Sequence, residues 1–225
     1  MRRSTPLVTR EIYHVFARSI AEFKIFNSNR QFLRIKNAIR YYQVENMPFK
    51  LSKFLKLKEV KEKGFNNVFI SALQGKEKLV QIICYCIMPT HIHLALKQLK
   101  DKGISIFMGN LLNSYSRYFN IQSRRKGPLW EDKFRNVLVE TDEQLLHLTR
   151  YIHLNPITAH LVEKPEDWST SSYLEFLSEV NEDERICEYE DILKINPVSY
   201  KNFVEDRISY QRELAKIKHL LLKQP

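Results

Sequence analysis

The sequence predicts an α+β fold: a ferredoxin-like βαββαβ sandwich with an antiparallel sheet, an additional helix after the last strand and a helical C-terminal extension. Two observations carry this prediction. Strand-like and helix-like patterns follow one another in the order strand, helix, strand, strand, helix, strand, helix. The chain has 225 residues, 44% of them hydrophobic and 28% charged, which is enough for one sizeable core with an appended helical piece.

The first strand and helix come from residues 10–43. Residues 10–20, REIYHVFARSI, mix β-branched and aromatic side chains, as strands do. Residues 28–43 repeat apolar side chains at helical spacing, and Asn27 or Ser28 can cap the start of that helix.

A lysine-rich stretch, KLSKFLKLKEVKEK, follows at residues 50–63. It is compatible with a basic helix or with a flexible arm, and a solvated charged face is the simplest explanation of its lysines. The apolar run at 66–75, NNVFISALQG, fits a strand or a helix. We therefore treat residues 44–77 as a separate segment of a domain that spans 1–165, followed by an extension at 166–225.

The second half of the pattern is clearer. Its elements are strands at 78–89 and 91–99, a helix at 104–122 and a strand at 133–140. The last helix of the domain spans residues 141–155, where Thr141 can cap its start and Pro156 is expected to stop it.

Composition narrows the partners and the compartment. The 36 Lys and Arg residues exceed the 26 Asp and Glu residues by ten, which favours a polyanionic partner, nucleic acid first. The odd number of cysteines suits a reducing compartment, and Cys84 and Cys86 fit buried core positions. No segment approaches the roughly 18 apolar residues of a membrane span, and the first residues carry no hydrophobic signal core. We expect a cytoplasmic protein without a membrane partner.

Two histidines stand one residue apart in MPTHIHLALKQL, residues 88–99. Alternate residues of a strand share a face, so His91 and His93 would present two imidazoles side by side while Ile92 points into the core. This geometry suits two ligands of one metal ion. Paired histidines also occur on sheet faces with ordinary hydrogen bonds, so a metal site needs a third ligand from elsewhere.

The segment TRYIHLNP offers that ligand. Tyr151 and Asn155 are four residues apart and share one face of the predicted helix, whereas His153 lies about 200° round from Tyr151 and faces away. If this helix crosses the histidine face, a two-histidine, one-amide site forms beside a phenol. Mg²⁺ or Mn²⁺ would suit it, and the nitrogen ligands favour Mn²⁺.

Such a set can break a phosphodiester bond. A tyrosine phenol, with an ordinary pKa of about 10, is a poor nucleophile at neutral pH. A divalent ion can polarise the phosphodiester and orient the scissile bond, and the tyrosine can then attack phosphorus to form a covalent link.

Three blocks of the sequence, in this order, resemble the single-tyrosine HUH transposases: CIMPTHIHLAL, GPLWEDKFRNVLVE and TRYIHLNPITAHLVEKPEDWSTSSY. They resemble most the REP-associated tyrosine transposases, relatives of the small insertion-sequence transposases, over roughly residues 8–207. The resemblance implies a ferredoxin-like fold that cuts and rejoins single-stranded DNA beside a hairpin. It implies one nucleophilic tyrosine and a divalent metal, with a 5′-phosphotyrosine and a free 3′-OH as products.

The resemblance also assigns residues. His91 and His93 match the two HUH histidines, Tyr151 the nucleophile and Asn155 the third metal ligand. Residue spacing points to the same four. The sequence departs from the family at Thr90, where asparagine is common, and at Lys133, where arginine is usual. Relative to compact members of the family, the lysine-rich segment within residues 44–77 looks like an insertion in the catalytic domain at 1–165.

Other residues leave alternatives open. Tyr115 and Tyr118, on the preceding helix, compete for the nucleophile role, and Trp130 could either stack an unpaired base or be buried against the sheet. The cations expected to contact DNA are Arg117, Arg124, Arg125, Lys126, Lys133 and Arg135.

The predicted function is that of a metal-dependent, single-stranded-DNA endonuclease and strand transferase, a transposase. One alternative is an inactive or domesticated relative that only binds hairpin DNA. Another is a nucleotide hydrolase with a metal-bound water, for which Tyr151 would be dispensable. The partner is single-stranded or hairpin DNA, and the protein is a monomer or a homodimer.

Overall fold

A four-stranded antiparallel sheet forms the centre of the computed structural model, which describes residues 6–213. Its strands are β1 (Ile12–Arg18), β2 (Val80–Ile87), β3 (His91–Gln98) and β4 (Arg135–Val139). They lie in the order β2-β3-β1-β4. This is the strand order of a ferredoxin-like βαββαβ sheet, so the predicted α+β fold is confirmed.

The helices follow the predicted order. They are α1 (Asn29–Tyr42), α2 (Leu51–Phe54), α3 (Lys58–Lys63), α4 (Phe65–Ala72), α5 (Gly103–Gln122), α6 (Asp142–Thr158), α7 (Tyr173–Phe176) and α8 (Pro197–Glu205). The lysine-rich stretch at 50–63 thus folds as the short helices α2 and α3 rather than as an arm, because they bury the apolar anchors Phe54 and Val60. The apolar run at 66–75 largely falls in α4, which buries Phe69.

The two faces of the sheet differ in chemistry. Val15 of β1 pairs with Leu94 of β3, and both are fully buried on the face covered by α5, against which α1 packs. His14 points to the opposite face, as does His93. Helix α6 lies over that second face, because its Tyr151 ring packs against both imidazoles. The sheet therefore separates an apolar core from a histidine-bearing face.

Helix α6 does not end where the sequence suggested. Thr141 caps its start, with the hydroxyl accepting from the Gln144 N–H at 3.1 Å, as predicted. The prediction that Pro156 stops the helix is wrong, since α6 runs through it to Thr158. A proline in the last turn removes only one helical hydrogen bond, and the turn is closed by the Leu161 N–H donating to the Pro156 carbonyl at 2.9 Å. Asn155 is consequently held inside a continuous helix.

The C-terminal extension packs on α6 and on the sheet. His153 of α6 is fully buried, with Nδ1 2.7 Å from the Tyr200 hydroxyl and Nε2 2.8 Å from Ser172 Oγ. The Glu175 carboxylate accepts a hydrogen bond from the Tyr85 hydroxyl of β2 at 2.9 Å. His153 therefore points away from the histidine face, as its helical position predicted. Residues 1–5 and 214–225, which the predicted domain ranges include, lie outside the described residues.

The cysteines are core residues. Cys84, Cys86 and Cys187 are free and buried, which confirms the prediction for the pair on β2, and burial raises the pKa of each thiol. Within residues 6–213, no helix is both long and apolar enough to cross a membrane.

We predict that His153 makes the stability of the protein fall in acid. Burial lowers its pKa to about 3 in the folded chain, so between about pH 6.5 and 3 the unfolded chain binds a proton that the folded chain does not. Folding is therefore weakened as pH falls through that window and is unaffected above it. Denaturant unfolding measures the free energy of unfolding at each pH. As pH falls through this window, that free energy should decrease less steeply for His153→Gln than for wild type, by up to about 1.4 kcal/mol per pH unit.

The exposed His160 provides the control, because His160→Gln should retain the wild-type pH dependence. Identical slopes for wild type and His153→Gln would contradict the prediction.

Candidate active site

The two histidines of the HIH motif stand at the start of β3. The tight turn through Pro89 and Thr90 sets their position, with the Met88 N–H donating to the His91 carbonyl at 2.8 Å. The rings of His91 and His93 lie perpendicular, with centroids 4.9 Å apart. The predicted side-by-side arrangement is therefore present.

One nitrogen of each imidazole is engaged by a neighbour. His91 Nδ1 lies 2.9 Å from Thr90 Oγ1, and His93 Nδ1 lies 2.9 Å from His14 Nε2. Partners on Nδ1 fix the ring and present Nε2 as the coordinating atom, which is the usual outer-shell arrangement of metal-binding histidines. Thr90, a departure from the family pattern, thus supplies a polar partner to the histidine that follows it.

His14 is the residue that sequence reasoning missed. It lies on β1, where its ring stacks on His93 with centroids 5.1 Å apart. The alternation of IYHVFAR puts His14, Phe16 and Arg18 on one face of β1, and the ferredoxin-like order places β1 beside β3. Topology and alternation together could have found it, whereas the histidine spacing along the chain could not.

The imidazoles are held in their neutral form. Burial, followed by the nearby Arg18 charge, lowers the pKa of His91 to about 4, and burial lowers that of His14 to about 4. Burial and the neighbouring His91, His14 and Arg18 hold the pKa of His93 well below its usual range. Neutral imidazoles keep the lone pairs that a metal ion needs.

Helix α6 brings Tyr151 to the histidines. The Tyr151 ring lies 5.7 Å from the His93 ring and 6.0 Å from the His14 ring, in both cases edge-on. Its side chain remains 47% exposed, so a large substrate can reach the hydroxyl. The Tyr151 ring therefore lies against His93, one of the two histidines that it was predicted to approach.

Asn155 lies one helical turn beyond Tyr151 and is half-buried. Its Nδ2 donates to the Tyr151 carbonyl at 2.8 Å, which fixes the amide orientation and makes Oδ1 the atom that it can offer to a ligand. Among residues 6–213, no three His, Cys, Asp or Glu side chains converge as a metal site. A third protein ligand beside the two imidazoles would have to be of another type, such as this amide.

The competing tyrosines occupy different environments. Tyr115 is fully buried and donates to the Ile25 carbonyl at 2.6 Å, and burial raises its pKa. Tyr118 lies on α5, across the sheet from the histidines, beside the Arg34 guanidinium. Trp130 is buried, with Nε1 donating to the Leu112 carbonyl at 3.2 Å. Of the two roles left open for Trp130, base stacking and burial, the structure shows burial.

The cations expected to contact DNA divide by location. Arg135 of β4 pairs with Phe16 of β1, so its exposed side chain lies on the histidine face, beside Asp132 at 3.3 Å. The connection from α5 to β4 carries exposed cations at Arg124, Lys126 and Lys133.

The other two expected DNA contacts differ from these. Arg125 supports that connection internally, donating to the Pro128 carbonyl at 2.7 Å. Arg117 is exposed on α5 and lies on the opposite side of the sheet.

Comparison with known proteins finds a transposase family to which part of the chain is similar. The family model described as "Transposase IS200 like" matches residues 52–155. This stretch of the chain is similar to the IS200-like transposases. All four predicted site residues of this IS200-like segment, His91, His93, Tyr151 and Asn155, lie inside the match, whereas β1 and its His14 precede it.

One curated protein and one solved structure are also similar to this chain. A curated Haemophilus influenzae protein assigned to the REP-associated tyrosine transposases is 31% identical over 104 residues, which cover 41% of this chain. The chain spans 58% of the length of that relative. A solved structure of a REP-associated tyrosine transposase bound to a REP hairpin superposes with a TM-score of 0.50 at 14% identity, over 84% of this chain and 92% of the other. At that identity the superposition establishes a shared fold.

Proposed function

We propose that the protein is a metal-dependent DNA transposase that cuts and rejoins single-stranded DNA near hairpins through a covalent 5′-phosphotyrosine. The observation that carries the proposal is the position of the accessible Tyr151 phenol against His93, whose ring is held by His14. The IS200-like family match over the same residues supports it.

His91, His93 and Asn155 would hold the ion through two Nε2 atoms and one amide oxygen. The donor set fits a divalent cation, because both imidazoles are neutral and are oriented through Nδ1. Bound Mg²⁺ or Mn²⁺ would neutralise charge on the scissile phosphate and orient it. Three protein ligands leave positions open for phosphate oxygens.

Tyr151 would act as the nucleophile. Its phenolic oxygen forms a bond to phosphorus while the bond from phosphorus to the 3′ oxygen breaks. The phenol gives up its proton, and the departing 3′ oxygen takes one up to become a hydroxyl. The phosphotyrosine link preserves the bond energy, so attack by a 3′-OH reverses the step and joins strands without ATP.

The expected DNA partner fits the cations around the site. Arg18 and Arg135 lie on the histidine face, and the basic connection from α5 to β4 leads to it. Positive side chains at these positions can hold phosphates on either side of the scissile bond. The related transposase of known structure is bound to a REP hairpin, which supports hairpin DNA as the partner here. Both a monomer and a homodimer are compatible with this proposal.

We predict that Tyr151→Phe abolishes formation of a covalent protein–DNA adduct. Wild-type protein incubated with labelled single-stranded DNA containing hairpins and Mn²⁺ should give an adduct that survives a denaturing gel. The phenylalanine variant lacks the attacking oxygen and should give none, while still binding the DNA.

Tyr118→Phe provides the matched control and should form the adduct at the wild-type level, because Tyr118 lies across the sheet from the scissile site and phenylalanine keeps its aromatic ring. Cleavage that persists in Tyr151→Phe would favour water attack and the hydrolase alternative. Binding without cleavage by wild type, on a DNA that a relative cuts, would favour an inactive hairpin-binding protein.

We also predict that His14→Phe weakens Mn²⁺ binding by about 10- to 100-fold, because His93 loses the partner that orients its ring. Isothermal titration calorimetry measures the affinity directly. His14→Gln retains a hydrogen-bonding amide and should recover part of the loss, and the exposed His160→Phe should bind as wild type does. Equal affinities for wild type and His14→Phe would exclude an orienting role.

A further inference from the structure

A basic groove of about 710 Å³ lies on the side of the sheet opposite the histidines. It runs between α1 and α5 and is bordered by the segment that contains α2. Its volume is that of a ligand pocket rather than of a surface dimple. The cations that line it are Arg30, Arg34, Lys50, Lys56 and Arg117. No carboxylate of the described part of the chain lines it. We call it the α1–α5 groove.

Arg34 is the residue of this groove whose surroundings favour a bound anion. Its side chain is only 8% exposed, yet its Nε is buried without a hydrogen-bond partner. Its guanidinium reaches Ser114 Oγ only at 3.4 Å and lies 5.2 Å from the Tyr118 ring. A buried cation normally has a carboxylate partner, and none lines this groove. An anion entering the groove would satisfy both the charge and the unpartnered donor.

The remaining lining suits nucleotide bases. Tyr118 is half-buried and offers a ring on which a base can stack, and Ile121 at the rim is 75% exposed. The amides of Asn37, Asn110 and Asn113 can donate to and accept from base edges. Phosphate-binding cations combined with a stacking ring and amides are the composition of a site for unpaired nucleic acid, whereas an acidic or phosphorylated peptide would leave the ring and amides unused.

The groove also connects to the candidate active site. Its wall ends at Gln122, the last residue of α5, where the exposed cations of the α5–β4 connection begin. That connection leads to β4, whose Arg135 lies on the histidine face. A single strand held in the groove can therefore follow positive charge around the edge of the sheet.

We propose that the α1–α5 groove binds an unpaired segment of a DNA strand, with phosphates on Arg34, Lys56 and Arg117 and a base against Tyr118. A pocket of this volume takes one or two nucleotides and is too small for the width of a duplex. The proposal deepens the proposed function, because it assigns a second contact for the same DNA away from the site of cleavage.

The test is equilibrium binding of a fluorescent oligothymidine of about eight nucleotides to the full chain in EDTA, measured by anisotropy over a range of salt concentrations. The double variant Lys56→Gln/Arg117→Gln should bind about tenfold more weakly. Its slope of log affinity against log salt should fall by about 1.4, because each lost phosphate contact accounts for about 0.7. Both substitutions are at exposed positions, so folding should be retained.

A matched control removes the same amount of charge from two lysines outside the groove. The double variant Lys58→Gln/Lys63→Gln, on α3, should bind with an affinity within about twofold of wild type and should keep the wild-type salt slope. Tyr118→Leu should weaken oligothymidine but not inorganic phosphate used as a competitor, since phosphate cannot stack. Equal weakening by both double variants would overturn the proposal, as would equal affinity for a duplex of the same length.

This experiment is independent of cleavage. It requires neither a metal ion nor the formation of a covalent adduct. If the protein forms no adduct but its DNA binding depends on the groove, the groove proposal holds and the proposed function is rejected. If the protein forms the adduct but its DNA binding does not depend on the groove, the proposed function holds and the groove proposal is rejected.

Discussion

The antiparallel pairing of β1 with β3 determines most of the chemistry of this protein. In this register Phe16 lies opposite His93 and Arg18 opposite His91, so the second face of the sheet collects three imidazoles from two strands. A shift of one residue would turn His14 and its neighbours into the apolar core. Because Val15 and Leu94 are fully buried on the other face, such a shift would expose them, and hydrophobic burial thereby fixes the polar site.

The second requirement is that α6 stay in place over this face. Its rear side is bound to the C-terminal extension through His153, which lies between Tyr200 and Ser172. Arg150, the neighbour of Tyr151, packs its guanidinium 3.9 Å from the Phe203 ring and donates to the Phe203 carbonyl. The tail thus acts as a structural support, and it presents the tyrosine without contributing to the candidate metal-binding set.

Patterns of local origin predicted most of the fold. Apolar runs, strand alternation and helical spacing placed β1, β2, β3, β4, α1, α5 and α6 within a few residues of their observed positions, because each of these elements packs apolar side chains into or against the core. The pairing of His91 with His93, and of Tyr151 with Asn155, follows from the geometry of a strand and of a helix. Their mutual approach required the topology, which the order of elements supplied.

What the sequence did not predict depends on tertiary context. His14 gains its role only from the strand beside it, 79 residues away along the chain. Pro156 does not stop α6, because a proline so near the end costs only one hydrogen bond and its ring is buried. The α1–α5 groove is formed by α1, α5 and the α2 segment together, so no single stretch of sequence predicts it. The spacing of charges along the chain does not indicate that the Arg34 guanidinium has an unpartnered donor.

The most direct test of the central claim is anomalous diffraction at the manganese edge from crystals grown with Mn²⁺. We expect one principal peak on the histidine face, coordinated by Nε2 of His91 and His93 and by Oδ1 of Asn155, with the Tyr151 hydroxyl beside it. The His14–His93 and Thr90–His91 hydrogen bonds should be intact. A manganese ion bound elsewhere, or held through Nδ1 with those hydrogen bonds broken, would contradict the claim that strand pairing builds a metal-assisted tyrosine site.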